Sequence, residues 1–357
     1  MSETAPTTII VGGGIIGLAS AFKLASSGQG VTLVDPAVAQ GATQAAAGML
    51  APSAEIAPGE ELNYALQRGA VAAWKQISEE LALVTGRHLA VHETGTLVVG
   101  WDASDRRVVE QFVGVAKSFG APHRSVDRAR EPDVFEGLSD RIRDGIVMSD
   151  DAWLDPDEAV SLLLDALDRL GVTIVTEKVI KVGASDSGVV AITDSGDFYA
   201  VSGVLCTGSA ALPEGVSTSG DHIVRPVRGV TARVQGIDRG TQPVVRAFVR
   251  GRAFYMIARP GGYCVLGATS DERAEAVVEV GELQRLLRDA LDVVPALETA
   301  HVLETRVGLR PASSDLRPFF EECTPMGWAW SSGHYRHGVT LAPLAAIDAV
   351  SFCGRFS

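Results

Sequence analysis

Cysteine is scarce in this chain of 357 residues: Cys206, Cys264, Cys323 and Cys353 are the only four, and they are widely scattered. With no C-x-x-C pair and no metal-ligand spacing they fit a reducing cytoplasm better than a disulfide framework, each sulfur serving as a small buried hydrophobe. Positive charge is also short, with 31 Lys and Arg against 44 Asp and Glu for a net charge of −13. That balance repels phosphate backbones and acidic lipid surfaces, so no nucleic acid and no membrane is expected as a partner, and small ligands are. The N-terminal Met1-Ser2-Glu3 is acidic and the apolar stretch behind it is broken by glycines, which argues against a signal peptide and a transmembrane span. Nor is a metal site expected. His88 and His92 lie in what reads as a strand, which sets them roughly 13 Å apart, and His334 and His337 show no metal spacing.

Glycine, by contrast, is placed with purpose. The apolar strand Thr8–Val11 runs into Gly12-Gly13-Gly14-Ile15-Ile16-Gly17, a helix follows over 18–26, and a second strand, Val31–Val34, ends on Asp35. This is a dinucleotide-binding βαβ pattern. Gly12 permits the tight turn, Gly14 lets backbone N–H groups approach a pyrophosphate, and Gly17 lets the helix pack close to the strand. Asp35, 18 residues beyond Gly17, is placed to accept the ribose hydroxyls and to repel a 2′-phosphate, which leaves FAD or NAD. The run Gly41-Ala42-Thr43-Gln44-Ala45-Ala46-Ala47-Gly48-Met49-Leu50-Ala51-Pro52 favours FAD. Its small side chains let backbone lie along a long ligand, and its apolar end is unlike a solvated linker. A second G-x-G-x-x-G is missing, so electrons are expected to reach the flavin from the substrate, not from a nicotinamide.

With 46% hydrophobic residues the chain can fill about two lobes. Periodicity predicts helices over 62–84, 106–119 and 280–294, the first stopped by Gly86. Another begins at Pro156 behind an Asp155 N-cap, with Val160, Leu163, Leu164, Leu167 and Leu170 inward and Gly171 at its end. Strands are expected over 88–99, 145–148, 172–176, 178–182 and 189–193. A strand ending in Cys206-Thr207-Gly208 is read as returning to the nucleotide sheet, with Thr207 and Gly208 at the cofactor. Antiparallel strands are expected over 227–234, 244–249, 252–257 and 262–267, and a short apolar helix over 341–350. The chain thus crosses between lobes several times.

Three residues suit a carboxylate substrate. Arg310, in Gly308-Leu309-Arg310-Pro311, suits either a bidentate grip on a carboxylate or a buried structural ion pair. Arg336, in Gly333-His334-Tyr335-Arg336-His337-Gly338, suits either the N1–C2=O edge of a reduced flavin or a solvated loop. Tyr255 stands in an apolar strand as a substrate contact or a core tyrosine with a satisfied hydroxyl.

Together with Arg225-Pro226-Val227-Arg228-Gly229 and Leu341-Ala342-Pro343, these blocks resemble the D-amino-acid oxidase family of flavoproteins, in its branch of glycine oxidases of thiamine biosynthesis. The match runs in order over nearly the whole chain. The resemblance implies an α/β (α+β overall) fold in which a Rossmann-like FAD-binding lobe, residues 1–85, 146–224 and 304–357, is interleaved with an antiparallel-sheet substrate lobe, 86–145 and 225–303. It implies that Arg310 holds the substrate carboxylate, that Tyr255 and Arg336 are second contacts, and that Ser270 lines the pocket. It further implies FAD contacts at Thr43, Gln44, Ala46, Ala47, Gly48 and Met49, adenine against Val179, and the loop His334, Tyr335, Arg336, His337, Gly338, Val339 and Thr340 over the flavin ring. Noncovalent FAD is expected, because no cysteine stands beside Arg310.

The activity implied is oxidation of glycine or another small amino acid with O2, giving H2O2, ammonia and glyoxylate for thiazole and thiamine synthesis. A contact with a thiazole synthase is part of that expectation, and a homo-oligomer is left open. The alternatives are a sarcosine or other N-methyl amino acid oxidase and a D-amino-acid dehydrogenase. One departure stands out: after Pro318 the chain reads Phe319-Phe320-Glu321 where the family has Pro-x-Ile-Gly, near the flavin, so a changed pocket or a shortened loop is expected there.

Overall fold

Residues 8–218, 220, 222–235 and 242–356 are described in a computed structural model of the chain. Met1-Ser2-Glu3, read above as an acidic start, lies outside them. Two large sheets carry the architecture. The first has seven strands, with Thr8–Val11 in the middle of the five that run parallel. Val31–Val34 and then Thr173–Val175 lie parallel on one side, and Ser202–Leu205 and then Trp328–Ser332 lie parallel on the other. Phe319–Thr324 and the short Ser217–Thr218 close that edge antiparallel.

The central strands are buried at every position and mostly apolar because both faces are covered, as in parallel sheets generally. With the two-residue period of a strand, Ile10, Leu33 and Val204 pack on one face with the helices Ile15–Ser26, Pro156–Arg169 and Gly338–Cys353. Ile9, Val11, Val34 and Leu205 pack on the other with Val182, Val189 and Ala191 of a small three-stranded sheet. Ser202–Leu205 therefore does return to the nucleotide sheet, beside the first strand, and Gly208 adopts φ +60° just beyond it.

The second sheet has eight strands. Its order runs His301–Ser313, Val224–Gln235, Tyr263–Gly267, Arg252–Arg259, Val244–Val249, Thr96–Gly100, Asp144–Met148, His123–Asp127. All pairs are antiparallel except Val244–Val249 with Thr96–Gly100. One face is covered by the helix Val280–Val293, and the other by Ala103–Ser118 with residues Ala51, Ala54, Ile56 and Tyr64.

The strands correct the expected lobe limits. Asp144–Met148 belongs wholly to the second sheet, so the limit at 146 cuts a strand. His301–Ser313 runs through the limit at 304, pairing with Val224–Gln235 along its length. Gly308-Leu309-Arg310-Pro311 is thus part of the substrate sheet. Gly308 sits there because a Cβ would lie 2.9 Å from the Cβ of Ala45.

Other expectations shift by a few residues. Of 88–99 only Thr96–Gly100 is a regular strand; His92 instead forms a single bridge to Trp153 and stacks on its ring at 3.8 Å. The helix Pro156–Arg169 is capped as expected, with Asp155 accepting from the Asp157 N–H, but its most buried residues are Ala159, Leu162, Leu163, Ala166 and Leu167. Val160, Leu164 and Leu170 flank that core. The alanines turn the inward face because they let the neighbouring helix Ile15–Ser26 approach. All four cysteines are buried. Among the described residues no helix is long and apolar enough to cross a membrane, and no group of three or more His, Cys, Asp or Glu could hold a metal ion.

Candidate active site

The glycine turn is built by exclusion. Gly12 takes φ +107°, and a Cβ there would lie 2.3 Å from the Cys206 carbonyl oxygen; at Gly17 it would lie 1.8 Å from the Gly12 oxygen. No residue larger than glycine fits at either place, so the helix Ile15–Ser26 starts hard against its strand. Gly14 precedes that helix in extended conformation. Across the turn, the Asp35 carboxylate accepts from the Gly13 and Ala37 N–H groups, both at 2.6 Å. Each of its oxygens keeps acceptor capacity for ribose hydroxyls. Thr43, on the short helix Gly41–Gln44, accepts from the Ile15 N–H through Oγ1 at 3.0 Å and ties the small-residue run to the helix start.

From this turn a cavity of about 380 Å³ extends between the two sheets. Its lining includes Gly14, Ile15, Ile16, Asp35, Thr43, Gln44, Ala46, Ala47, Gly48, Met49, Thr207, Gly208, His334, Tyr335, Arg336, Gly338 and Val339, all expected at a cofactor. Gly48 lets the wall fold tightly at φ +78°, where a Cβ would meet the Leu154 carbonyl oxygen at 2.1 Å. A space lined by small residues and reaching from Gly14 and Asp35 to Gly48 and Gly208 fits a dinucleotide. Thr207 Oγ1 and Ser331 Oγ, both in the wall, are buried without a hydrogen-bond partner, which is the mark of a site that expects polar ligand atoms.

The substrate sheet supplies the far end. Arg310 and Tyr255 both line the cavity, and each side chain rests where a neighbouring glycine leaves room. A Cβ on Gly229 would lie 2.2 Å from Arg310 Nη2, and one on Gly267 would lie 2.2 Å from the Tyr255 hydroxyl. Arg310 donates weakly to the carbonyls of Thr269 at 3.2 Å and Arg228 at 3.4 Å. Among the described residues no carboxylate pairs with it, which removes the structural ion pair as an account of this guanidinium. Arg228 takes that structural role instead: fully buried, it meets Asp271, Glu279 and Glu282.

Glu55, which the sequence pattern did not reveal, stands in the same wall. Arg246 Nη1 donates to it at 2.9 Å, and His337 Nδ1 lies 3.5 Å away. Burial would raise its carboxyl, but Arg336, Arg246 and His337 outweigh burial and hold it at about 2. Burial pushes the Tyr255 phenol up to about 12, with Arg310 opposing and Glu55 reinforcing. Tyr255 therefore remains a protonated donor under the influence of both a cation and an anion.

Several expected residues lie elsewhere. Gly12 and Gly17 shape the turn without lining the cavity. Val179 is buried against Ile9, Val11 and Val34, ahead of the strand Lys181–Ser185, and is not in the wall. Ser270 is exposed on the segment after Gly267, and Ala276 of that segment lines the cavity in its place. Thr340 donates to the Met49 carbonyl behind the wall, and His337 reaches the cavity only through Glu55. The divergent Phe319 and Phe320 are not lining residues. They form the strand Phe319–Thr324, Phe319 stacked on His222 at 4.1 Å and Phe320 packed on Phe352 at 5.8 Å, so the departure reshapes the sheet edge and not the pocket.

His334 and His337 are held neutral at neutral pH. Burial lowers both imidazoles from 6.5 to about 4; for His334 the neighbouring His337 adds to this, and for His337 the pull of Glu55 is opposed by Arg336 and Arg246. The folded values lie below the unfolded one, so the unfolded chain binds more protons between them. The stability these two contribute is full above pH 6.5 and declines as pH falls towards 4. Buried Asp151, raised to about 7, acts in the opposite sense across part of the same range. We expect His337→Gln to lose less stability than the parent between pH 6.5 and 4.5, as read from urea midpoints; parallel losses would contradict the assignment.

The sheet order, the glycine turn with its acid, and the walled cavity define a flavin-dependent oxidoreductase. The chain belongs to the family described as DAO, FAD dependent oxidoreductase, whose model matches residues 7–350, and FAD is its cofactor. It is 27% identical over 345 residues to glycine oxidase of Geobacillus kaustophilus, covering 95% of this chain and 90% of that one. It is 31% identical over 365 residues to the bifunctional protein ThiO/ThiG of Synechocystis, covering 96% of this chain but only 51% of that protein. The crystal structure of glycine oxidase from Geobacillus kaustophilus superimposes with a TM-score of 0.86 at 25% identity, over 98% of this chain and 95% of that one.

Proposed function

We propose that this enzyme oxidises glycine, or another amino acid of similar size, at the bond between the α-carbon and nitrogen. The observation that carries the reading is the Arg310 guanidinium, which no carboxylate among the described residues pairs with, in one cavity wall with protonated Tyr255. Arg310 takes the substrate carboxylate as a bidentate pair. Tyr255 donates to the same carboxylate, and Arg336, at the loop lining the cavity, adds positive charge. Gly229 and Gly267 give the Arg310 and Tyr255 side chains the room they occupy against the sheet, so the substrate is fixed by its charged end with the α-carbon turned to the cofactor. Held noncovalently by the glycine turn, Asp35 and the small-residue run, FAD would supply the hydride acceptor, with O2 as the final oxidant and H2O2 as its product.

Positioning does most of the remaining work. The substrate leaves as an imino acid that water converts to a 2-oxo acid and ammonia; from glycine the 2-oxo acid is glyoxylate. No side-chain base is needed when the amine is neutral at the moment of hydride loss. Two relatives support a place in thiamine synthesis: the Rhizobium etli protein is named for thiamine biosynthesis, and the Synechocystis protein carries the double name ThiO/ThiG. On this reading a thiazole synthase is the partner that would take the product.

The test is the anaerobic visible spectrum of the yellow holoenzyme with glycine, D-alanine and sarcosine in turn, then air. Fastest bleaching with glycine, reversed on aeration with release of peroxide, is the expected result, and NADH and NADPH leave the flavin oxidised. Rapid reduction by either nicotinamide, or none by any amino acid, would overturn the proposal.

A further inference from the structure

Only two acidic residues line the cavity among those described, Asp35 at the nucleotide end and Glu55 at the substrate end. Glu55 is placed by two contacts from different directions. Its own segment is pinned by buried Asp151, which accepts from the Ser53 N–H at 2.8 Å and the Ala54 N–H at 3.1 Å. Its carboxylate is gripped by Arg246, whose position on Val244–Val249 is directly opposite Tyr255 on Arg252–Arg259. Arg246 thus sets Glu55 over the sheet position that carries the phenol.

The Arg246 bond occupies Oε1, and Oε2 faces a histidine that is neutral. An ionised carboxylate offers about four acceptor positions, so Glu55 keeps capacity for a donor from the cavity. The groups facing it are Arg246 and Tyr255 from the sheet, Arg336 and His337 from the loop before the last helix, and Asp151 beneath its own segment.

Resting on the function proposed above, we infer that Glu55 receives the substrate's amino group while Arg310 holds its carboxylate, with Tyr255 between them. The site then selects small zwitterions over simple carboxylates. Opposite charges in one wall, both acting on the same phenol, match an α-amino acid, whose charged groups are separated by one carbon. A carboxylate beside the amine also favours its ammonium form, whereas hydride loss requires the neutral form. Capture and reaction therefore call for different protonation states, and the proton released between them goes to solvent, Glu55 being too weak a base to retain it.

Glu55→Gln tests this, since the amide oxygen can still accept from Arg246. In the holoenzyme the KM for glycine is expected to rise about tenfold or more, as for loss of a charge-assisted hydrogen bond. The Kd of acetate, read from perturbation of the flavin spectrum, stays within about twofold, because acetate has no amine to lose a partner. The alkaline-rising limb of the anaerobic reduction rate moves to lower pH, and Glu55→Asp restores part of the preference for glycine. If glycine KM and acetate Kd rise together, or if neither the KM nor the pH limb moves while the parent is reduced by glycine, Glu55 has no such role. A parent enzyme that no small amino acid reduces would overturn the function itself.

Discussion

Arg310→Ala retains its bound FAD and loses substrate oxidation, with kcat/KM for glycine falling by about a thousandfold or more. The size follows from what the guanidinium does in the pocket. Among the described residues no carboxylate pairs with it, and its removal leaves the incoming carboxylate to Tyr255 and to Arg336. The latter is exposed, and its guanidinium lies over the ring of its own neighbour Tyr335 at 5.1 Å. Retention of the cofactor follows from what the Arg310 side chain does not do. Arg310 is tied only to the carbonyls of Thr269 and Arg228, so truncation breaks no ion pair among the described residues and leaves the glycine turn untouched. Arg310→Lys keeps the charge but not the two-pronged geometry, and an intermediate loss is expected. Anaerobic reduction by glycine, set beside the flavin-to-protein ratio of each variant, decides the matter. Reduction within about tenfold of the parent would mean that another group anchors the substrate.

The nucleotide end of this site was legible in the sequence because local chemistry fixes it. Thr8–Val11, the glycines after it and Asp35 lie within one contiguous βαβ unit, where each residue's role follows from chain geometry. The far end is assembled by sheet pairing between distant segments, and there single-sequence reasoning reached the side chains but not their surroundings. Arg310 and Tyr255 were found as isolated polar residues in apolar settings. Gly229 and Gly267, which make room for them, carried no separate signal, because a glycine across a strand pair is recognisable only once the register is known. Glu55 was passed over because an acid beyond a run of small residues looks like a surface charge until Arg246, 191 positions away, is seen to hold it. Ser270 and Val179, which resemblance alone puts near the ligand, lie outside the cavity wall along the local path of this chain.

Gly17→Ala, the smallest side-chain addition available, is expected to cost about 3 kcal/mol or more and to strip the protein of FAD. The new Cβ would lie 1.8 Å from the Gly12 oxygen and 3.3 Å from Ile10 Cγ2, and the first of these contacts is to backbone that cannot rotate away. The helix Ile15–Ser26 would have to lift from its strand, carrying Leu18 and Phe22, both fully buried, out of their packing. Its first-turn N–H groups, poised where a pyrophosphate would sit, would move with it. The same substitution at Gly69, inside the helix Glu61–Thr85, meets nothing within 4 Å and should stabilise by about 0.5–1 kcal/mol through helix propensity. Opposite signs for one chemical change, read from denaturant midpoints and the flavin content of each purified protein, would attribute the loss at Gly17 to close approach. If Gly17→Ala keeps its flavin and its midpoint, the helix is not held against the strand by this contact, and the packing account of the nucleotide turn fails.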